Sequence, residues 1–257
     1  MHAGRGYSGR VTQTRQDPVE ISVVVPMHNE EGAAVALARE IAAALDGRSF
    51  ELICVDDASR DGTRAALLTA KSELPMLRVV AHRANAGQSR AIHSGVMAAR
   101  GPVVATLDGD GQNDPADLPR LVDLLTRADA PAGLAMVQGK RVKRQDSAAK
   151  KIASRVANAV RQRLLADGAT DSGCGIKAFR RDAFVALPYF DHMHRYMAAL
   201  FLRDGWTVEF AKVNHRHRQT GASKYTNWGR LVAAATDLFG VMWLRSRRRA
   251  HGGADEV

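Results

Sequence analysis

Short apolar, β-branched runs alternate with longer Ala- and Leu-rich stretches through the first half of the chain. Ile21-Ser-Val-Val-Val25, closed by Pro26, predicts a strand, and Glu31 to Leu45, ended by Asp46-Gly47, predicts a helix. The pair recurs as Glu51 to Val55 with Asp61 to Ser72, Leu77 to Ala81 with Gly87 to Arg100, and Val103 to Leu107 with Pro115 to Ala128. Strands that each feed a helix predict an α/β fold with a mostly parallel sheet covered on both faces. Ligands of such sheets bind beyond the carboxyl ends of the strands. The loops there carry His28-Asn29-Glu30, Asp56-Asp57 and Asp108-Gly109-Asp110. After Gln138 the alternation loosens into a basic helical stretch, Arg144 to Leu165, a Gly-rich turn at Asp171 to Gly175, and short elements up to Val213. This organisation predicts a leader at 1–18, one domain at 19–230 and a C-terminal segment at 231–257.

Composition places the chain among ordinary globular proteins, with 46% hydrophobic and 25% charged residues in 257. The net charge of +10 is regional. Up to Ala135 there are 14 basic and 17 acidic residues, and beyond it 23 and 10. The basic half therefore predicts an anionic partner. Two cysteines, Cys54 and Cys174, are too few for a disulfide framework, and the segment before Pro18 has no apolar core of a signal peptide, which together predict a cytoplasmic protein. Leu231 to Leu244 is apolar over 14 residues, short of the ~20 that cross a bilayer.

No GxGxxG follows the first strand and no GxxxxGK[ST] occurs, so neither a classical dinucleotide site nor a P-loop is indicated. Asp108-Gly-Asp-Gly-Gln112, directly after a strand, is the strongest local signal. Two carboxylates one residue apart form a hard-oxygen site suited to Mg²⁺ or Mn²⁺ shared with substrate phosphates; an Asp-Gly turn is the alternative, and the strand-end position favours the metal. Ser59 and Asp61 are explained by capping the next helix. Adjacent Asp56 and Asp57 repel unless a ligand or cation sees them. Asn85-Ala-Gly-Gln88 opens a helix, where free N–H groups favour an anion.

Six segments then occur in a telling order: Val24-Val-Pro-Met-His-Asn-Glu30, Val55-Asp-Asp-Ala-Ser-Arg-Asp-Gly62, Asn85-Ala-Gly-Gln88, Asp108-Gly-Asp-Gly-Gln112, Gly173-Cys-Gly-Ile-Lys177 and Gly221-Ala-Ser-Lys-Tyr225. Over residues 20 to 244 the chain resembles the family-two glycosyltransferases of GT-A (Rossmann-like) fold, in particular the dolichyl- and polyprenyl-phosphate sugar synthases. The resemblance implies a nucleotide-sugar site at Pro26, Asn29, Glu30, Asp56, Asp57, Asn85, Gly87 and Asp108. It implies a cation, Mg²⁺ or Mn²⁺, on Asp108, Asp110 and Gln112. It also implies a polyprenyl-phosphate acceptor held by Arg141, Arg218, Ser223 and Lys224, with Asp110, Asp171 and Arg141 at the reacting centre.

Asp171 matches an acid that the family places beside acceptor and sugar. A phosphate monoester is already mostly dianionic near neutral pH, its second pKa being ~6. Asp171 is therefore expected to orient the sugar or the acceptor-binding cations rather than take a proton. His194 and Arg195 either line the acceptor site or pack. Lys150, Lys151 and Arg155 fit a solvated helix face as well as a phosphate site.

Leu231 to Leu244, followed by Arg245, Arg247, Arg248 and Arg249, has the make-up of a segment lying on an anionic membrane surface; a core helix with a basic tail is the alternative. Family members often carry later transmembrane helices and this chain shows none, so attachment to the cytoplasmic membrane face is expected to be peripheral or through a membrane partner protein. The leading expectation is an inverting, metal-dependent transfer of a hexose from a GDP- or UDP-sugar to polyprenyl phosphate. A family-two transfer to a hydroxyl of a glycan or lipid is the alternative, and it needs a general base. Nucleic-acid binding is the reading from another class, disfavoured by 5% aromatic content and the lack of a recognition module.

Overall fold

The computed structural model describes residues 18–142, 159, 161–216 and 227–248. Its first half alternates as the apolar pattern requires: β1 (Ile21–Met27), α1 (Glu31–Ala44), β2 (Phe50–Asp56), α2 (Thr63–Ala70), β3 (Leu77–Ala81), α3 (Gly87–Ala98) and β4 (Val103–Thr106). A 3₁₀ turn, Pro115–Asp117, then leads into α4 (Leu118–Thr126). The stretch read as one helix from Pro115 is thus split, because Asp114 caps a tight first turn by accepting from the Ala116 amide at 3.1 Å. β5 (Leu134–Arg141), β6 (Lys177–Arg180), α5 (Arg181–Val185), a second 3₁₀ turn (Met193–Arg195), α6 (Met197–Arg203), β7 (Thr207–Val213) and α7 (Asn227–Ser246) follow.

The seven strands form one sheet in the order β3-β2-β1-β4-β6-β5-β7. β1 to β4 pair in parallel, and β5 pairs in parallel with β7. β6 runs antiparallel between β4 and β5, with Thr106 opposite Lys177 and Gln138 also opposite Lys177. The sheet is therefore mostly parallel, and its one antiparallel strand carries the turn before it, Asp171 to Gly175, to the end of β4.

Strand alternation sorts side chains to two cores. Val23, Val25, Leu52 and Cys54 face α1, α2 and α4, meeting Leu37, Ile41, Leu67 and Leu121. Val24, Ile53 and Val104 face α3, α5 and α6, meeting Ile92, Val96, Phe184 and Phe201. Each such fully buried side chain contributes ~1.5–3 kcal/mol relative to exposure, so both faces of the sheet are sealed and its polar chemistry is left to the loops. Burial pushes the Cys54 thiol up to about 12, in keeping with a small buried hydrophobe.

α7 is one helix across the expected junction at 230/231. Val241 is buried with Leu165, Tyr196 and Ala199, while Leu238 and Met242 are half-buried. The opposite side exposes Phe239 and Trp243. The core-helix reading thus holds for one side of this helix, while the other side leaves two large apolar side chains exposed. No helix among the described residues is long and apolar enough to cross a membrane.

Candidate active site

Strand order changes direction at β1, with β2 on one side and β4 on the other, and the crevice beyond their carboxyl ends is where an open sheet receives a ligand. Gly109 lets the loop after β4 lie against β1, since a Cβ there would fall 2.6 Å from the Pro26 carbonyl oxygen. Gly175 does the same from β6, since a Cβ would fall 2.3 Å from Asp108 Oδ2. Asp108 is thereby held between two backbones. Gln88 Nε2 donates to its Oδ1 at 2.7 Å, and Asn113 Oδ1 accepts from its amide at 3.1 Å. Burial, then the charge of Asp110, raise the Asp108 carboxyl above the ordinary carboxylate range. Asp110 Oδ1 accepts from the Gln112 amide at 3.1 Å, and the Gln112 carbonyl accepts from the Arg216 amide at 2.9 Å. The backbone of Gln112 thus shapes the loop that presents the two acids.

Among the described residues no group of three or more His, Cys, Asp or Glu is arranged to hold a metal. The donor set at Asp108 and Asp110 is two mutually repelling carboxylates. It suits a divalent ion that keeps water and takes further oxygens from a diphosphate.

A cavity of about 160 Å³ opens beside Asp108, lined in part by Gln88, Gly173, Lys177, His194 and Arg195. Lys177 is buried, and its ammonium donates to the Cys174 carbonyl. Burial lowers its pKa, and the nearby Asp108 and Asp171 pull the other way. Arg141 and Asp171 stand behind this wall as a two-pronged pair, with Nε to Oδ2 at 2.8 Å and Nη2 to Oδ1 at 2.6 Å. The hydrogen bonds that Arg141 donates to the Asp171 carboxylate hold its guanidinium above the usual pKa.

On the other flank, the Asn29-Glu30 corner is tied to the β2 loop. Asn29 adopts φ +56°, its amide donates to Ser59 Oγ at 3.0 Å, and its Oδ1 accepts from the Arg60 amide at 2.7 Å. The Glu30 amide donates to Thr63 Oγ1 at 2.9 Å. Asp61 accepts from the Thr63 amide at 3.0 Å from one residue ahead of Gly62, the N-cap of α2, whereas Ser59 serves Asn29 instead.

Asp56 and Asp57 both find partners inside the protein. Asp56 has no need of a ligand: it is buried, receives Arg64 Nε at 2.6 Å and the Ser59 amide at 3.1 Å, and lies below its usual pKa, those bonds outweighing burial. The N-terminus of α3 already has its anion. Asp57 accepts from the amides of Ala86 and Gly87, both at 2.8 Å, and His82 Nδ1 lies 2.7 Å away. The repulsion between Asp56 and Asp57 is thus relieved by Arg64 and by a helix end inside the protein. Asn85 Nδ2 donates to the Asp57 carbonyl at 3.2 Å, so Asn85, Gly87 and Asp57 form one fixed corner.

Arg218, Ser223 and Lys224, with Lys150, Lys151, Arg155 and Arg249, lie outside the described residues. Arg245 is described, and it donates to the Leu165 carbonyl, so it anchors α7 to the body of the protein. Lys177 and Gln88 received no role from sequence although both stand in the quoted motifs. The available signal was a lysine that directly follows a Gly-rich turn and opens a short strand.

A two-sided, mostly parallel α/β sheet with paired acids after β4, and a lysine brought beside them by an antiparallel strand, has the GT-A fold of glycosyltransferases. Residues 22–187 match Glycosyl transferase family 2, and the chain belongs to that family. It is 35% identical over 239 residues to dodecaprenyl-phosphate galacturonate synthase of Rhizobium johnstonii, covering 88% of this chain and 68% of the relative. It is 39% identical over 229 residues to undecaprenyl-phosphate 4-deoxy-4-formamido-L-arabinose transferase of Pseudomonas aeruginosa, covering 86% and 65%. The chain thus spans about two thirds of the length of these curated relatives. Among solved structures, glucosyl-3-phosphoglycerate synthase from Mycobacterium tuberculosis, in complex with Mn²⁺, uridine diphosphate and glucosyl-3-phosphoglycerate, superposes with a TM-score of 0.67. The sequence identity is 20%, over 91% of this chain and 82% of that one.

Proposed function

We propose that this glycosyltransferase moves a sugar from a nucleotide sugar to polyprenyl phosphate at a membrane surface, inverting the anomeric centre. The observation that carries the reading is the cavity where Asp108 faces Lys177 and Arg195, because it joins a cation site for the leaving diphosphate to a basic pocket for an incoming phosphate. The two named polyprenyl-phosphate relatives support the acceptor class.

In this reading Pro26, Asn29, Glu30 and the Asp57–Asn85–Gly87 corner hold the nucleotide. Asp108 and Asp110 would bind Mg²⁺ or Mn²⁺, whose chemistry is to disperse charge on the departing diphosphate. An oxygen of the acceptor phosphate attacks the anomeric carbon from the face opposite the diphosphate. The new C–O bond forms as the bond to the diphosphate breaks, releasing a nucleoside diphosphate. Because a phosphate monoester is mostly dianionic at neutral pH, no general base is required. Asp171 engages Arg141 through both oxygens, so its role is to aim that guanidinium at the acceptor phosphate. Arg218, Ser223 and Lys224 are proposed as its partners there.

Membrane contact is assigned to the exposed side of α7, where Phe239 and Trp243 are one turn apart and Arg247 and Arg248 follow. The decisive experiment incubates the protein with undecaprenyl phosphate, Mn²⁺ or Mg²⁺ and a panel of GDP- and UDP-sugars, and detects the product by mass spectrometry. A polyprenyl-phosphate sugar is the expected product. Transfer to a glycan hydroxyl with no lipid product would establish the alternative instead.

A further inference from the structure

Ser89 and His194 are 105 residues apart in sequence and meet at the wall of the cavity. Ser89, in the first turn of α3, is 1% exposed. Its Oγ lies 2.7 Å from His194 Nδ1, and the His194 amide donates to the same oxygen at 3.3 Å. A hydroxyl carries one hydrogen. The His194 amide occupies one lone pair of Oγ, and among the described residues Nδ1 is the acceptor within reach of the Ser89 hydrogen. A ring that accepts this hydrogen at Nδ1 carries its own proton on Nε2. Burial, reinforced by the positive charges of Lys177, Arg195 and His192, keeps the ring well below its ordinary pKa and hence uncharged. Nε2 makes no hydrogen bond to a described residue, and the ring borders the same space as Asp108, Lys177 and Gln88.

We infer that His194 presents Nε2–H as a fixed, uncharged donor to a hydroxyl of the sugar being transferred, and that Ser89 is the positioning residue that sets this tautomer. The inference rests on the glycosyltransferase reading above and names a contact within it. The charged groups of the cavity, Lys177 and Arg195, are suited to phosphate oxygens. A neutral donor adds little for an anion, but it selects an uncharged hydroxyl by distance and direction. A donor covered by bound sugar but left without that hydroxyl also disfavours sugars that lack it.

The test has two arms, neither of which needs the lipid. Nitrogen-15 NMR of the full chain should show His194 as the Nε2–H tautomer, and Ser89→Ala should convert it to a mixture. A wild-type ring protonated on Nδ1 would overturn the proposal. In the second arm, Mn²⁺-dependent hydrolysis of each nucleotide sugar that the wild type accepts is compared with binding of the matching nucleoside diphosphate. His194→Phe is expected to lower hydrolysis by roughly 100-fold with nucleoside diphosphate affinity unchanged. His194→Gln, whose amide N–H replaces Nε2–H, should stay within about tenfold of wild type. Equal losses of hydrolysis and of nucleoside diphosphate binding would place His194 on the diphosphate and overturn the sugar contact, as would full activity of His194→Phe. Should undecaprenyl phosphate prove not to be the acceptor, both arms still stand, so the two failures are separable.

Discussion

Asp171 takes three N–H groups from Arg141: the backbone amide at 3.1 Å, Nε at 2.8 Å and Nη2 at 2.6 Å. Both side chains are largely buried, at 15% and 11% exposure, so the pair is held against solvent screening and its geometry is fixed from both the main chain and the side chain. Asp171→Asn keeps the shape but removes the charge that matches the guanidinium. Transfer to the phosphate acceptor is expected to fall by about 100-fold, with nucleoside diphosphate binding nearly unchanged. Acceptor kinetics and calorimetry check this. An equal loss of nucleotide affinity would move the pair to the donor side. Breaking such a buried pair also costs ~3–5 kcal/mol in stability, which thermal denaturation of the same variant reads.

Gly175→Ala tests the placement of the paired acids. A Cβ 2.3 Å from the carboxylate of Asp108 forces that side chain, or the turn before β6, to move. The expected result is a tenfold or larger loss of Mn²⁺-dependent nucleoside diphosphate binding, in line with the 10–100-fold effects of disturbing the surroundings of metal ligands. Circular dichroism should stay unchanged. Unaltered Mn²⁺ dependence would show that the ion does not rest on Asp108.

Asp110→Asn removes one of two ligand charges and should suppress transfer by orders of magnitude while the fold is kept. Activity of the purified variant is measured with and without a chelator. Wild-type rates in the chelator would sink the metal assignment.

Glu51 controls acid stability from the far end of the sheet. It is buried and accepts from Ser22 Oγ at 2.7 Å, the Arg100 amide at 2.6 Å, Arg100 Nε at 2.9 Å and Arg78 Nη1 at 2.5 Å. Burial opposes the charge, but these bonds outweigh it and set the pKa below the usual glutamate value. A carboxylate depressed on folding stabilises above its unfolded pKa, ~4.3, and that contribution is lost as pH falls through the folded value. Glu51→Gln is therefore expected to lower the melting temperature at pH 7 and to leave little difference from wild type only once the pH is below the depressed folded pKa of Glu51. A constant gap across both ranges would refute the ionic origin.

The exposed side of α7 is tested with Phe239→Ser and Trp243→Ser together, at 68% and 57% exposure, since neither side chain helps hold the core. Binding to anionic vesicles should weaken by about tenfold or more with the melting temperature kept. Arg247→Gln with Arg248→Gln should remove ~1 kcal/mol per charge at low salt, an effect that high salt imitates in the parent. Arg245 is left intact because it holds α7 through the Leu165 carbonyl. Undiminished vesicle binding by both variants would exclude this face.

Local pattern determined much of the protein. Alternating Val23, Val24 and Val25 must send neighbours to opposite faces, so β1 to β4 and their crossover helices were legible, and with them the edge carrying Asn29, Asp57, Asp108 and Asp110. The order of six short motifs carried the family. Periodicity could not reveal where β6 inserts, since register and neighbour are chosen by packing between segments far apart in sequence. That choice alone sets Thr106 opposite Lys177 and lays Gly175 on Asp108. Likewise, a carboxylate in a strand-end loop looks the same whether its partner is a ligand, an arginine or a helix end. Only the folded chain gave Asp56 to Arg64, Asp57 to the amides of α3, and Ser89 to His194, because the identity of a buried polar group's partner depends on which distant atoms come within about 3 Å once the core closes.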